Sequence, residues 1–97
     1  MDRLDSRQVI EIDGVTVLQL RQQVEDSYFD TLIYEYQGNL MEMFVRAETS
    51  ITFSAGTIIM EDISLTFESP MPHLIVVSLT DSQRNVGQIA IAERSRL

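Results

Sequence analysis

Asp30-Thr31-Leu32-Ile33-Tyr34-Glu35-Tyr36-Gln37, then Gly38-Asn39, then Leu40-Met41-Glu42-Met43-Phe44-Val45-Arg46-Ala47 is the stretch on which the fold turns. Apolar side chains recur in it at period two on either side of a glycine-led pair, which is the pattern of two antiparallel strands joined by a tight turn. Gly38 first in a two-residue loop suits a type II′ turn. With Gly38-Asn39 as the loop, Tyr36 faces Met41, Tyr34 faces Met43 and Leu32 faces Val45, so one face is apolar along its whole length. The opposite face pairs Gln37 with Leu40, Glu35 with Glu42, Ile33 with Phe44 and Thr31 with Arg46.

The same grammar extends in both directions. Gln8-Val9-Ile10-Glu11-Ile12, Asp13-Gly14 and Val15-Thr16-Val17-Leu18-Gln19-Leu20 read as a hairpin on a type I′ turn, with Ile12 opposite Val15 and Ile10 opposite Val17. The apolar phase shifts at Val17-Leu18, as at a bulge or where a strand passes to a second sheet. A competing reading starts a helix at Thr16, with Thr16 and Gln19 as a capping box and Leu20, Val24 and Tyr28 on one stripe; the β-branched start favours a strand. Further on, Ser50–Ser54 and Thr57–Met60 can close around Ala55-Gly56, with Phe53 across from Ile58. Glu61-Asp62 is a bend or bulge, and Ile63, Leu65 and Phe67 alternate until Pro70 and Pro72 end the run. Leu74–Leu79 is apolar on both faces and reads as a central strand, and Asn85–Glu93 alternates isoleucine with alanine after a polar loop at residues 81–85.

The expectation is an all-β single domain over residues 1–97, an antiparallel β-sandwich or small barrel-like fold of about 7–9 short strands. Residues 1–6 and 95–97 are expected to fray. No segment is long enough to be a crossover helix, which argues against α/β folds.

Composition narrows function by exclusion. Fifteen acidic against seven basic side chains give a formal charge of −8, whose field repels phosphate and anionic lipid, so neither nucleic acid nor membrane is an expected partner. All seven basic residues are arginine, which removes Schiff-base chemistry and the phosphate-loop lysine. The absence of cysteine removes disulfides, thiolate nucleophiles and iron–sulfur clusters. The first residues are charged and no apolar run is longer than Leu74–Val77, against about 20 residues for a membrane helix, so a cytoplasmic location is expected.

Few residues invite chemistry. His73, the only histidine, follows Pro72 and reads as the start of a strand. Glu35 and Glu42, if opposite, would be coupled carboxylates able to share a proton, bind a cation or meet a partner's arginine; exposed to water they need no such role. The acidic groups Glu25, Asp26 and Asp30, and Glu61 and Asp62, lack the loop pattern of a calcium site. No catalytic, cofactor or metal residues are therefore assigned. Ile33, Phe44 and Leu40 on the mixed face must be shielded either by the chain itself or by another chain, and are the possible interface.

These features favour a non-enzymatic protein-interaction or assembly module, working as a homo-oligomer or as a component of a larger complex. One alternative is an acidic inhibitor or regulator that presents carboxylates to a basic partner surface. Another is a small β-barrel ligand binder or enzyme with an interior pocket.

Overall fold

A computed structural model describes residues 3–92 and 94–95. Among them the chain forms nine strands: β1 (Arg3–Ile12), β2 (Val15–Val24), β3 (Ser27–Tyr36), β4 (Asn39–Arg46), β5 (Thr57–Met60), β6 (Ile63–Met71), β7 (Leu74–Asp81), β8 (Val86–Ala92) and β9 (Arg94–Ser95). They build two antiparallel sheets in a sandwich-like arrangement, one in the order β5-β4-β3-β2-β1-β9 and one in the order β6-β7-β8. β1 begins inside the segment expected to fray, and Ser6 and Arg7 pair with β9 as well as with β2. Met1, Asp2, Arg96 and Leu97 lie outside the described residues. No helix among the described residues is long and apolar enough to cross a membrane.

The first hairpin forms as its residues require. Asp13 and Gly14 take φ of 49° and 82°, the double left-handed conformation of a type I′ turn, and Ile12 pairs with Val15 and Ile10 with Val17. β2 is extended through Val24, so no helix starts at Thr16. The phase change at Val17-Leu18 is neither a bulge nor a change of sheet, because β2 keeps an unbroken register with β1 there. Both faces of the larger sheet are covered. Val17 packs with Leu32, Tyr34, Met41 and Met43 on one face, and Leu18 packs with Ile75 and Val77 on the other.

The second hairpin corrects the expected register. Its loop is Gln37-Gly38, at φ of 51° and 78°, and not Gly38-Asn39. The type I′ geometry of Gln37-Gly38 matches strand twist and draws Asn39 into β4. Tyr36 then pairs with Asn39, Glu35 with Leu40, Tyr34 with Met41 and Ile33 with Glu42. The displacement amounts to two residues on one strand, so every side chain keeps its face while every cross-strand partner changes.

The expected hairpin between residues 50–54 and 57–60 does not form. Phe53–Ala55 is a single 3-10 turn, and β5 pairs with β4 instead. Ile51 and Phe53 fold down onto the Val17–Leu32–Tyr34 cluster. The Tyr34 hydroxyl donates to the Phe53 carbonyl at 2.6 Å, and the two rings meet edge-on at 4.9 Å. Burial of these two side chains outweighs a local hairpin that would leave the sheet face bare.

Glu61-Asp62 is the step where the chain leaves the larger sheet for the smaller one, with Asp62 at φ 57°. β6 continues through Pro70 to Met71, past the expected stop. It is an edge strand whose register slips between Glu68 and Met71, where a missing N–H is tolerated. Pro72-His73 forms the turn to β7, His73 taking φ 65° as at the third position of a type II turn. β7 is central in its sheet, with Ile75 and Val77 buried.

Candidate interaction surfaces

A partly buried ion pair sits on the loop-covered face of the larger sheet. Arg21 on β2 lies opposite Asp30 on β3 and donates to both carboxylate oxygens, Nε to Oδ1 at 2.7 Å and Nη2 to Oδ2 at 2.9 Å. Gln19 Nε2 donates to Asp30 Oδ2 at 3.2 Å, and Gln8 Nε2 donates to Gln19 Oε1 at 2.7 Å. The bond to Asp30 is the main reason the Arg21 guanidinium is held above its ordinary pKa, against the opposing effect of burial. The network borders a cleft of about 340 Å³ that also touches Glu48 and Ile51. Asp30 spends its carboxylate on Arg21 and Gln19, the condition under which a buried charge is tolerated. The network ties three strands together.

Glu35 and Glu42, the expected coupled carboxylates, are not opposite each other. Glu35 accepts the Leu65 backbone N–H at 2.7 Å, beside a second bond from the Ile63 N–H to the Gly38 carbonyl at 2.8 Å. These two bonds fasten β6 to the end of the β3–β4 hairpin. Glu42 is exposed and lies across from Ile33.

Of the three residues expected at an interface, two are covered by the chain itself. Ile33 packs against the Leu18–Ile75–Val77 cluster between the sheets, and Leu40 is buried. Phe44 is 62% exposed, its ring stacked on Phe29 at 5.5 Å with the planes 5° apart. His73 is exposed in its turn. Among the described residues, no three His, Asp or Glu side chains are grouped to hold a metal ion.

Of the other large exposed apolar side chains, Tyr28 lies on β3 and Met71 at the end of β6, and the remaining five gather on two edge strands. Ile58, Ile59 and Met60 occupy β5, the edge of the larger sheet, and every residue of that strand is exposed. Val86 and Ile89 occupy β8, the edge of the smaller sheet, at 61% and 55% exposure. Neither strand carries a charged residue. Alternation identifies both segments as strands, but their place at the edges depends on strand order, which no local pattern encodes. Only the run of apolar residues without a charge hinted at it.

The fold and surface thus define a small antiparallel β-sandwich in which each sheet has one edge strand without a charged residue, β5 and β8. The chain belongs to the family described as domain of unknown function (DUF4860), which matches residues 1–82. No curated protein and no solved structure matches it.

Proposed function

We propose that the domain is a non-catalytic protein-interaction module, acting as a homo-oligomer or as a component of a larger complex. The observation that supports this reading is the placement of five large apolar side chains, Ile58, Ile59, Met60, Val86 and Ile89, on strands that end the two sheets. An edge strand offers unpaired backbone N–H and C=O groups, and chains that stay apart usually guard such edges with charges. None of the turn carboxylates Asp13, Glu25, Asp26, Glu61 and Asp62 lies on β5 or β8, so the two strands offer an uncharged contact that an acidic inhibitor surface would not use.

Molar mass by light scattering on a size-exclusion column, at low and at high salt, tests the reading. A multimer that resists salt is the expected result, because apolar and backbone contacts are little screened. A monomer at both salts, up to high micromolar concentration, removes self-association.

A further inference from the structure

The edges of the two sheets are not equivalent. β6 has two backbone N–H groups taken up by Glu35 and Gly38, carries Pro70, and slips register near its end. β5 is four residues long, with a register shift against β4, and runs straight into Glu61-Asp62. β9 is two residues long. β8 has none of these defences: it runs for seven residues, Val-Gly-Gln-Ile-Ala-Ile-Ala, in unbroken register with β7, without charge, proline or bulge. Residues 86–90 are all exposed, and among the described residues no strand pairs with its outer side.

We propose that β8 pairs antiparallel with β8 of a second copy of this chain, so that two three-stranded sheets become one of six strands. This deepens the assembly reading above and rests on it. Three observations select a second copy as the occupant. The first is self-complementarity. A two-fold axis through Ile89, the midpoint of β8, sets Ile89 against Ile89, Gln88 against Ala90 and Gly87 against Ile91, the bulkier member always facing a smaller one away from the axis. The second is room: a Cβ built on Gly87 meets nothing within 4 Å, so the place opposite the neighbour's Ile91 is open. The third is charge. Two copies at −8 each repel, and an uncharged strand lets them meet without opposing carboxylates.

The absence of cysteine makes the register directly testable. Directly opposed residues of antiparallel strands have Cα atoms about 4.5–5.5 Å apart, within disulfide reach, whereas diagonal neighbours are about 7–8 Å apart. The Ile89→Cys chain should therefore crosslink to a covalent dimer under mild oxidation at least tenfold faster than the Gln88→Cys chain. Ala90→Pro, in an exposed strand position, should return the chain to a monomer while circular dichroism still reports a β fold. A multimer by light scattering in which Ile89→Cys crosslinks no faster than Gln88→Cys overturns the β8 pairing and leaves the assembly reading standing. A monomer throughout, with no crosslink at either position, overturns the β8 pairing together with the homo-oligomer form of the assembly reading.

Discussion

The clearest energetic test lies at Glu35. Its carboxylate is the acceptor for the Leu65 N–H at 2.7 Å, one of two bonds joining β6 to the hairpin below it. A hydrogen bond to a charged group contributes about 1.5–3 kcal/mol. Glu35 is only half-buried, so the lower part of that range applies. Glu35→Ala is expected to cost about 1.5 kcal/mol, and Glu35→Gln, which keeps a neutral acceptor, about half as much. Glu42→Gln, on an exposed residue with no such bond, should stay within about 0.5 kcal/mol of the parent. The double variant should then be additive to within about 0.5 kcal/mol. Urea unfolding followed by circular dichroism measures these differences, and hydrogen exchange at the Leu65 amide reports the bond itself. Had the two carboxylates faced each other, neutralising Glu35 would relieve repulsion and stabilise the fold. A Glu35→Gln chain more stable than the parent, or a Leu65 amide equally protected in Glu35→Ala, would refute the reasoning.

Tyr34→Phe should cost about 1–2 kcal/mol, because it removes the shorter of the two bonds to the Phe53 carbonyl and leaves it only the Gly56 N–H at 3.3 Å. Burial also raises the Tyr34 pKa, so the folded chain holds its phenol proton at a pH where the unfolded chain has lost it. Stability from this group is therefore full below about pH 10 and falls as pH rises through the raised folded value, a limb that Tyr34→Phe should flatten in alkaline melts. Gly56→Ala would set a Cβ against the Tyr34 hydroxyl and 3.2 Å from the Glu42 carbonyl, an overpacking expected to cost about 1–3 kcal/mol in urea unfolding. Ser6→Ala should be neutral or stabilising by up to about 1 kcal/mol, since the Ser6 hydroxyl is fully buried with no hydrogen-bond partner among the described residues; a destabilisation beyond 1 kcal/mol would mean the hydroxyl is satisfied.

Alternation made the strands legible because each face of a pleated sheet sees a different environment, and Ile10, Ile12, Val15 and Val17 report that directly. It was less informative where two turns compete. Gly38 serves equally as the first residue of one loop and the second of another, and only Gln37 in the left-handed region decides for the latter. Face parity survives that shift, so Tyr34 and Met41 stay on the apolar face and are buried, while the Glu35–Glu42 contact is lost with the register. Ile33 and Leu40 looked like interface residues because a two-sided apolar strand implies a second cover. Whether that cover is the same chain depends on contacts dozens of residues away, and here β6 and β7 supply it for Ile33.

The asymmetry of the two sheets explains why Val86 and Ile89 stay exposed. The larger sheet is covered on both faces, by the smaller sheet on one and by Ile51 and Phe53 on the other, so apolar residues in β2 and β3 are absorbed by the chain itself. The smaller sheet has one covered face and only three strands, and its outermost strand keeps Val86 and Ile89 in water. Three strands with one apolar face are close to the minimum that stands alone. Each edge already blunted, by Pro70, by a bulge or by a neighbouring carboxylate, has traded pairing capacity for isolation. β8 has made no such trade, and a strand added there would both hide its apolar side chains and widen the sheet that needs support. By mass action any such partner stabilises the folded state, and the gain should fall on β6–β8 before it reaches the larger sheet.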